Sequence, residues 1–121
     1  MSATRDITIT SGDTIDIVVP IRDENGDPAT LSNPQIVWML AVKPEPAQAE
    51  IKVTKSSGVV GGATIAQVDG VWTGTITLEA VDTETLPPGR YFHAARIVDG
   101  ASTWTVVKGV ALIEGSIPLP L

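Results

Sequence analysis

The feature that most constrains this chain is a series of short segments in which apolar and polar residues alternate with the period of two that a β-strand imposes. No segment holds a helical period for more than about one turn. Residues 5–10 (RDITIT) put Ile7 and Ile9 on one face. After a break at Ser11-Gly12-Asp13, residues 14–21 put Ile15, Ile17, Val19 and Ile21 on one side and Thr14, Asp16, Val18 and Pro20 on the other. Pro20 has no N–H to give to a ladder, so its end of the strand belongs at a sheet edge or a bulge. In residues 35–42 (QIVWMLAV), Ile36, Trp38, Leu40 and Val42 form one face, while Val37, Met39 and Ala41 make the other face apolar too. Such a strand is expected to be covered on both sides.

Turn chemistry separates these segments. The run Arg22-Asp23-Glu24-Asn25-Gly26-Asp27-Pro28 is dense in residues that tolerate positive φ or pre-set a turn. Residues 43–62 hold Pro44 and Pro46, a short strand candidate at 51–54 and two glycine clusters, the least ordered composition in the chain. Two hairpins turn on the same tripeptide, Val68-Asp69-Gly70 and Val98-Asp99-Gly100, because Asp-Gly supplies the positive-φ pair of a type I′ turn. Two-residue loops predict Gln67 opposite Trp72 and Ile65 opposite Gly74 in the first hairpin, with Trp72, Ile76 and Leu78 inward, and Ala95 opposite Trp104 in the second. Residues 78–86 suit a single helical turn ended by Pro87-Pro88-Gly89. Tyr91, His93, Ala95 and Ile97 then point inward, and Lys108-Gly109 is the expected bulge of the last strand.

About eight such strands with frequent turns predict an all-β fold, an immunoglobulin-like β-sandwich of 7–8 antiparallel strands with Greek-key connections. The length of 121 residues suits one domain. Residues 1–114 are read as that domain and residues 115–121 as an apolar tail, in which Pro118 and Pro120 keep Ile117, Leu119 and Leu121 out of a sheet interior.

The chemistry-bearing residues point away from catalysis. With no cysteine, neither a disulfide nor a thiolate site is available. The acidic run from Asp23 to Asp27 begins like a calcium loop, but Pro28 stands where that loop needs glycine and no bidentate glutamate follows. His93 has no nucleophile or carboxylate at a recognisable spacing and reads as a packed strand histidine. Residues 58–62 are glycine-rich but have no Lys-Ser or Lys-Thr partner to cradle a phosphate. Asp82 and Glu84 read as a solvated turn rather than an acid and base. Trp38, Trp72 and Trp104 sit at the apolar phase of strands, where core packing is the ordinary explanation and a sugar or peptide groove the rival one. No enzyme, cofactor or metal is expected. A net charge of −6 repels a phosphate backbone, an anionic membrane surface is disfavoured likewise, and no stretch is apolar enough to span a bilayer.

Charged residues make up only 18% of the chain, against about 25% in ordinary domains. A small domain has much surface to cover, so either some of it meets other proteins or a threonine-rich β surface makes up the shortage of charge. The surfaces proposed for that contact are the second face of residues 35–42 (Val37, Met39), the alternate face of the last strand (Val107, Val110, Leu112) and the tail (Ile117, Leu119, Leu121).

A longer pattern joins these pieces: Ser11-Gly12-Asp13-Thr14 leading into an Ile/Val strand, the turn from Asp23 to Pro28, and an aromatic-centred strand ending in Lys43-Pro44. It continues through Asp69-Gly70 and a Thr-rich strand, Leu86-Pro87-Pro88-Gly89-Arg90-Tyr91, and Asp99-Gly100. From about Ile7 to Ile113 this resembles the small immunoglobulin-like structural proteins of tailed phages and prophages, and is similar to the N-terminal domain of baseplate upper proteins. The resemblance implies a virion component, made in the host cytoplasm: a baseplate, tail, neck or capsid-decorating protein that joins other phage structural proteins in repeated copies. The chain stops without the coiled coil or fibre that baseplate upper proteins carry. A carbohydrate-binding or adhesive module is the alternative from another class.

Overall fold

The computed structural model describes residues 3–23, 25–44, 50–58 and 61–115. Nine strands and one helical turn follow in order: β1 (Ala3–Thr4), β2 (Ile7–Thr10), β3 (Ile15–Pro20), β4 (Gln35–Ala41), β5 (Ile51–Ser56), β6 (Ala63–Val68), β7 (Val71–Leu78), α1 (Ala80–Thr83), β8 (Gly89–Asp99) and β9 (Ser102–Glu114). The larger sheet runs β1-β9-β8-β4-β5, with β2 also on β9, and the smaller runs β3-β7-β6. The chain changes sheet between β2 and β3, β3 and β4, β5 and β6, and β7 and β8. That is the Greek-key wiring of an immunoglobulin-like β-sandwich. One departure from the expected pattern is that β1 and β2 pair with β9 in parallel.

The core lies between the sheets and is filled by the alternating residues of both. Ile17, Val19 and Ile76 from the small sheet meet Ile36, Trp38, Leu40, Ile97, Ala111 and Ile113 from the large one. Trp38, at the centre of β4, is 0% exposed. Two close approaches tighten the sandwich. A Cβ on Gly74 would lie 2.4 Å from the Cδ1 of Ile36 on the opposite sheet, so the glycine is the notch that admits the Ile36 side chain. At the base of β8, the Tyr91 hydroxyl donates to the Pro87 carbonyl at 2.7 Å and pins the corner between the sheets. The α1 turn is anchored by buried Thr83, whose Oγ1 accepts from the Gly12 N–H at 3.1 Å and whose carbonyl accepts from Ser11.

The first hairpin has the expected register, with Gln67 opposite Trp72 and Ile65 opposite Gly74. Its Asp69 and Gly70 carry φ of 51° and 81°, the two left-handed positions of a type I′ turn. The second hairpin differs. Its loop is Gly100-Ala101, Asp99 pairs with Ser102, and Trp104 faces Ile97 rather than Ala95. Asp99 stays in the strand because its carboxylate accepts the N–H groups of Ser32 (3.2 Å) and Asn33 (2.9 Å), a long-range demand that turn propensity does not register. With Gly100 at φ 62° and Asp99 outside the left-handed region, the loop has the positive-φ pattern of a type II′ turn.

Two further expectations are corrected. The bulge in β9 is not at Lys108-Gly109: Arg96 pairs with Thr105 and Ala95 with Val107, so Val106 is the extra residue. Gly109 instead marks a close approach, since a Cβ there would sit 2.1 Å from the Arg5 carbonyl oxygen. At the far end of β4, Val42 leaves the apolar face and is 36% exposed, because the strand ends at Ala41 beside a register shift against β5. Pro20 lies on β3, an edge strand, as its missing N–H requires.

Replacing Gly109 by Ala pushes its methyl into the Arg5 backbone and is expected to cost about 2–3 kcal/mol or more. Tyr91→Phe removes one hydrogen bond and is expected to cost about 1 kcal/mol. Chemical denaturation of both variants checks the order of the two effects.

Candidate functional site

Outward-facing residues distinguish the two sheets. On the small sheet, β7 presents Thr73, Thr75 and Thr77 beside Asp16 of β3, and the Thr77 hydroxyl donates to Asp16 at 2.9 Å. That face mixes these polar groups with exposed Val18 (47%) and Val68 (56%). On the large sheet, the outward rows read Ile51-Ala41-Phe92-Val110 and Thr54-Met39-Ala94-Lys108, with Val37 next to Arg96 and Arg96 next to Thr105. All of these except Thr54 line a shallow open concavity of about 640 Å³.

The concavity is apolar at its centre and charged at its margin, where Lys43, Arg96 and Lys108 outnumber Asp6. Val37, Met39, Phe92, Ala94 and Val110 are half-buried, and Arg96 and Lys108 are exposed. Lys43, at one end, is paired with Glu50 at 2.9 Å, and the Arg90 guanidinium stacks 5.6 Å from the Phe92 ring centre. In an acidic chain, this clustering of positive charge on one face is a feature of the folded sheet, because Arg90, Arg96 and Lys108 come from two strands that pair only in the fold.

Of the residues proposed for partner contact, Val37, Met39, Val110 and Leu112 lie on this outer face, with Leu112 42% exposed. Val107 does not. The extra residue at Val106 reverses the parity of β9, and Val107 is 3% exposed in the core. Ile117, Leu119 and Leu121 lie outside the described residues. Sequence reasoning missed Phe92, Ala94 and Arg96, and the same alternation that sends Tyr91, His93 and Ala95 inward could have found them.

The other sequence candidates resolve into structural roles. The Asp23 carboxylate accepts the N–H groups of Asn25 (2.9 Å) and Asp27 (3.0 Å), closing a local turn. Asp82 is paired with Lys55 at 2.8 Å and accepts the Glu79 N–H at the start of α1. Trp72 and Trp104 are half-buried and pack against the core beside fully buried Trp38. His93, 3% exposed, joins three segments: its Nδ1 accepts from the Trp38 indole N–H at 3.1 Å, and its Nε2 lies 2.6 Å from the Arg5 carbonyl. Those partners fit a neutral imidazole protonated on Nε2, which donates to Arg5. Gly109, directly opposite His93, leaves the room in which they meet.

Burial lowers the His93 pKa from the ordinary histidine value, outweighing the favourable bond to the Arg5 carbonyl. Protonation would also turn Nδ1 into a donor facing the Trp38 donor. The unfolded chain therefore binds this proton more readily than the folded one, so stability is present above about pH 6.5 and declines as the pH falls below it. Comparing denaturation midpoints at neutral and mildly acidic pH is expected to show a slope that His93→Gln flattens.

No protein-family model matches this sequence, and no curated protein matches it. Among solved structures, a family 123 glycoside hydrolase from Clostridium perfringens aligns with 94% of this chain at 14% identity and a TM-score of 0.42. The aligned region is 23% of that protein, and the likeness is too low to inform function.

Proposed function

We propose that this chain is a non-enzymatic structural component of a tailed-phage or prophage virion, held in place through the outer face of its large sheet. The observation that carries the reading is the outer face of the large sheet, where an apolar hollow of Val37, Met39, Phe92, Ala94 and Val110 lies beside Arg96 and Lys108. An interface built this way, an apolar centre with charge at the rim, suits a neighbouring structural subunit that presents an apolar ridge flanked by carboxylates. The run of turn and strand signatures from Ser11 to Gly100 supports the virion setting. A sugar-binding reading draws less support, because a stacking platform needs an open aromatic ring, all three tryptophans sit on the inward phase of their strands, and the outward Phe92 ring has the Arg90 guanidinium over it.

The expected outcome is that the chain is found by mass spectrometry in purified particles, and that Met39→Glu, which puts a carboxylate in the apolar centre, lowers its incorporation at least tenfold. Its melting temperature should stay within a few degrees of the parent. Particles that lack the chain, or that take up the Met39→Glu form as well as the parent, sink the reading.

A further inference from the structure

Among the described residues the sandwich has four free strand edges, and three of them are blunted. The outer edge of β3 contains Pro20, and the Val18 carbonyl is taken by the Arg5 guanidinium at 2.6 Å. The β1–β2 edge is broken into a two-residue and a four-residue piece at Arg5-Asp6, with the Asp6 carboxylate accepting the Val110 N–H at 2.9 Å. The β5 edge is bent by its register shift and carries Lys52 and Lys55. These are the devices by which native sheets prevent strand addition.

The edge of β6 has none of them. Its sequence, ATIAQV, contains no charge and no proline, and its pairing with β7 runs without a shift. Gly62 exchanges bonds with Thr77 across the hairpin, as the Thr77 N–H to Gly62 carbonyl contact of 3.0 Å shows. Alternation from that pair leaves Ile65 and Gln67 with both N–H and C=O directed to the open side. The start of the strand is flanked by the Ser56–Gly62 bridge, which confines the open run to the hairpin end.

We propose that β6 is a strand-addition site for a second copy of this chain, joined antiparallel about a two-fold axis at Ala66. In that register Ile65 of one copy exchanges both its main-chain hydrogen bonds with Gln67 of the other, and the reverse. Thr64 stands opposite Val68 of the second copy, clear of the Ser56–Gly62 bridge. The arrangement is self-complementary because each outward residue offers one donor and one acceptor, which the same edge of a second copy reciprocates when the axis falls at Ala66. It also terminates itself. The fused sheet ends at both sides on β3, which Pro20 and Arg5 close to further addition, so association stops at two copies. The site is on the opposite sheet from the outer-face hollow and is independent of it.

The test uses the full chain and two double substitutions at exposed positions. Thr64→Lys with Val68→Lys sets like charges opposite one another across the axis, and Thr64→Glu with Val68→Lys sets opposite charges there. Within one copy these positions are too far apart along the strand to pair. Sedimentation equilibrium from micromolar to millimolar concentration is expected to show a monomer–dimer equilibrium for the parent, at least about tenfold weaker association for the Lys/Lys form, and recovery in the Glu/Lys form. A parent that stays monomeric throughout overturns the proposal. So does a dimer that the Lys/Lys form leaves intact, and a dimer lost in Met39→Glu alone would assign the contact to the large sheet instead.

Discussion

The long pairing of β8 with β9 is the constraint on which the rest of the molecule depends. It runs from Gly89–Ile113 to Asp99–Ser102 with one extra residue, Val106. Because side chains alternate, that one residue decides which half of β9 faces the core and which faces out. On the hairpin side Trp104 packs inward. Beyond the bulge Val107, Ala111 and Ile113 point inward, while Lys108, Val110 and Leu112 face out. The apolar hollow of the large sheet and the seal of the core are two consequences of the same register.

At Gly109 that register meets the N-terminal strands. The missing side chain lets the Arg5 backbone approach β9, and the Arg5 carbonyl closes a buried polar chain running from Trp38 through His93. Arg5 also donates to β9 through its N–H and reaches β3 on the other sheet through its guanidinium. A domain with no disulfide thus ties its two layers with one residue's backbone and side chain. The arrangement leaves the three groups mutually satisfied, which is what a buried imidazole and indole require.

The two surfaces argued to carry contacts differ in kind. The outer face of the large sheet offers side chains: apolar groups at the centre and guanidinium and ammonium groups at the rim. The β6 edge offers backbone, with few side-chain demands. Specific recognition of a different subunit suits the first, and repetition of identical copies suits the second.

Period-two alternation and turn chemistry, both local, determined most of the architecture in advance. The inward residues of β3, β7 and β8, the type I′ turn at Asp69-Gly70, the helical turn before Pro87 and the edge position of Pro20 were legible because each depends on residues within one or two turns of chain. The tertiary structure alone decided the loop at Gly100-Ala101, the extra residue at Val106 and the inward turn of Val107. The loop depends on Ser32 and Asn33, which hold Asp99, and the close approaches at Gly109 and Gly74 depend on Arg5 and Ile36, all partners far away in sequence. Local pattern fixes which residues can share a face. Only the pairing of distant strands fixes which face is buried and which is left for contact.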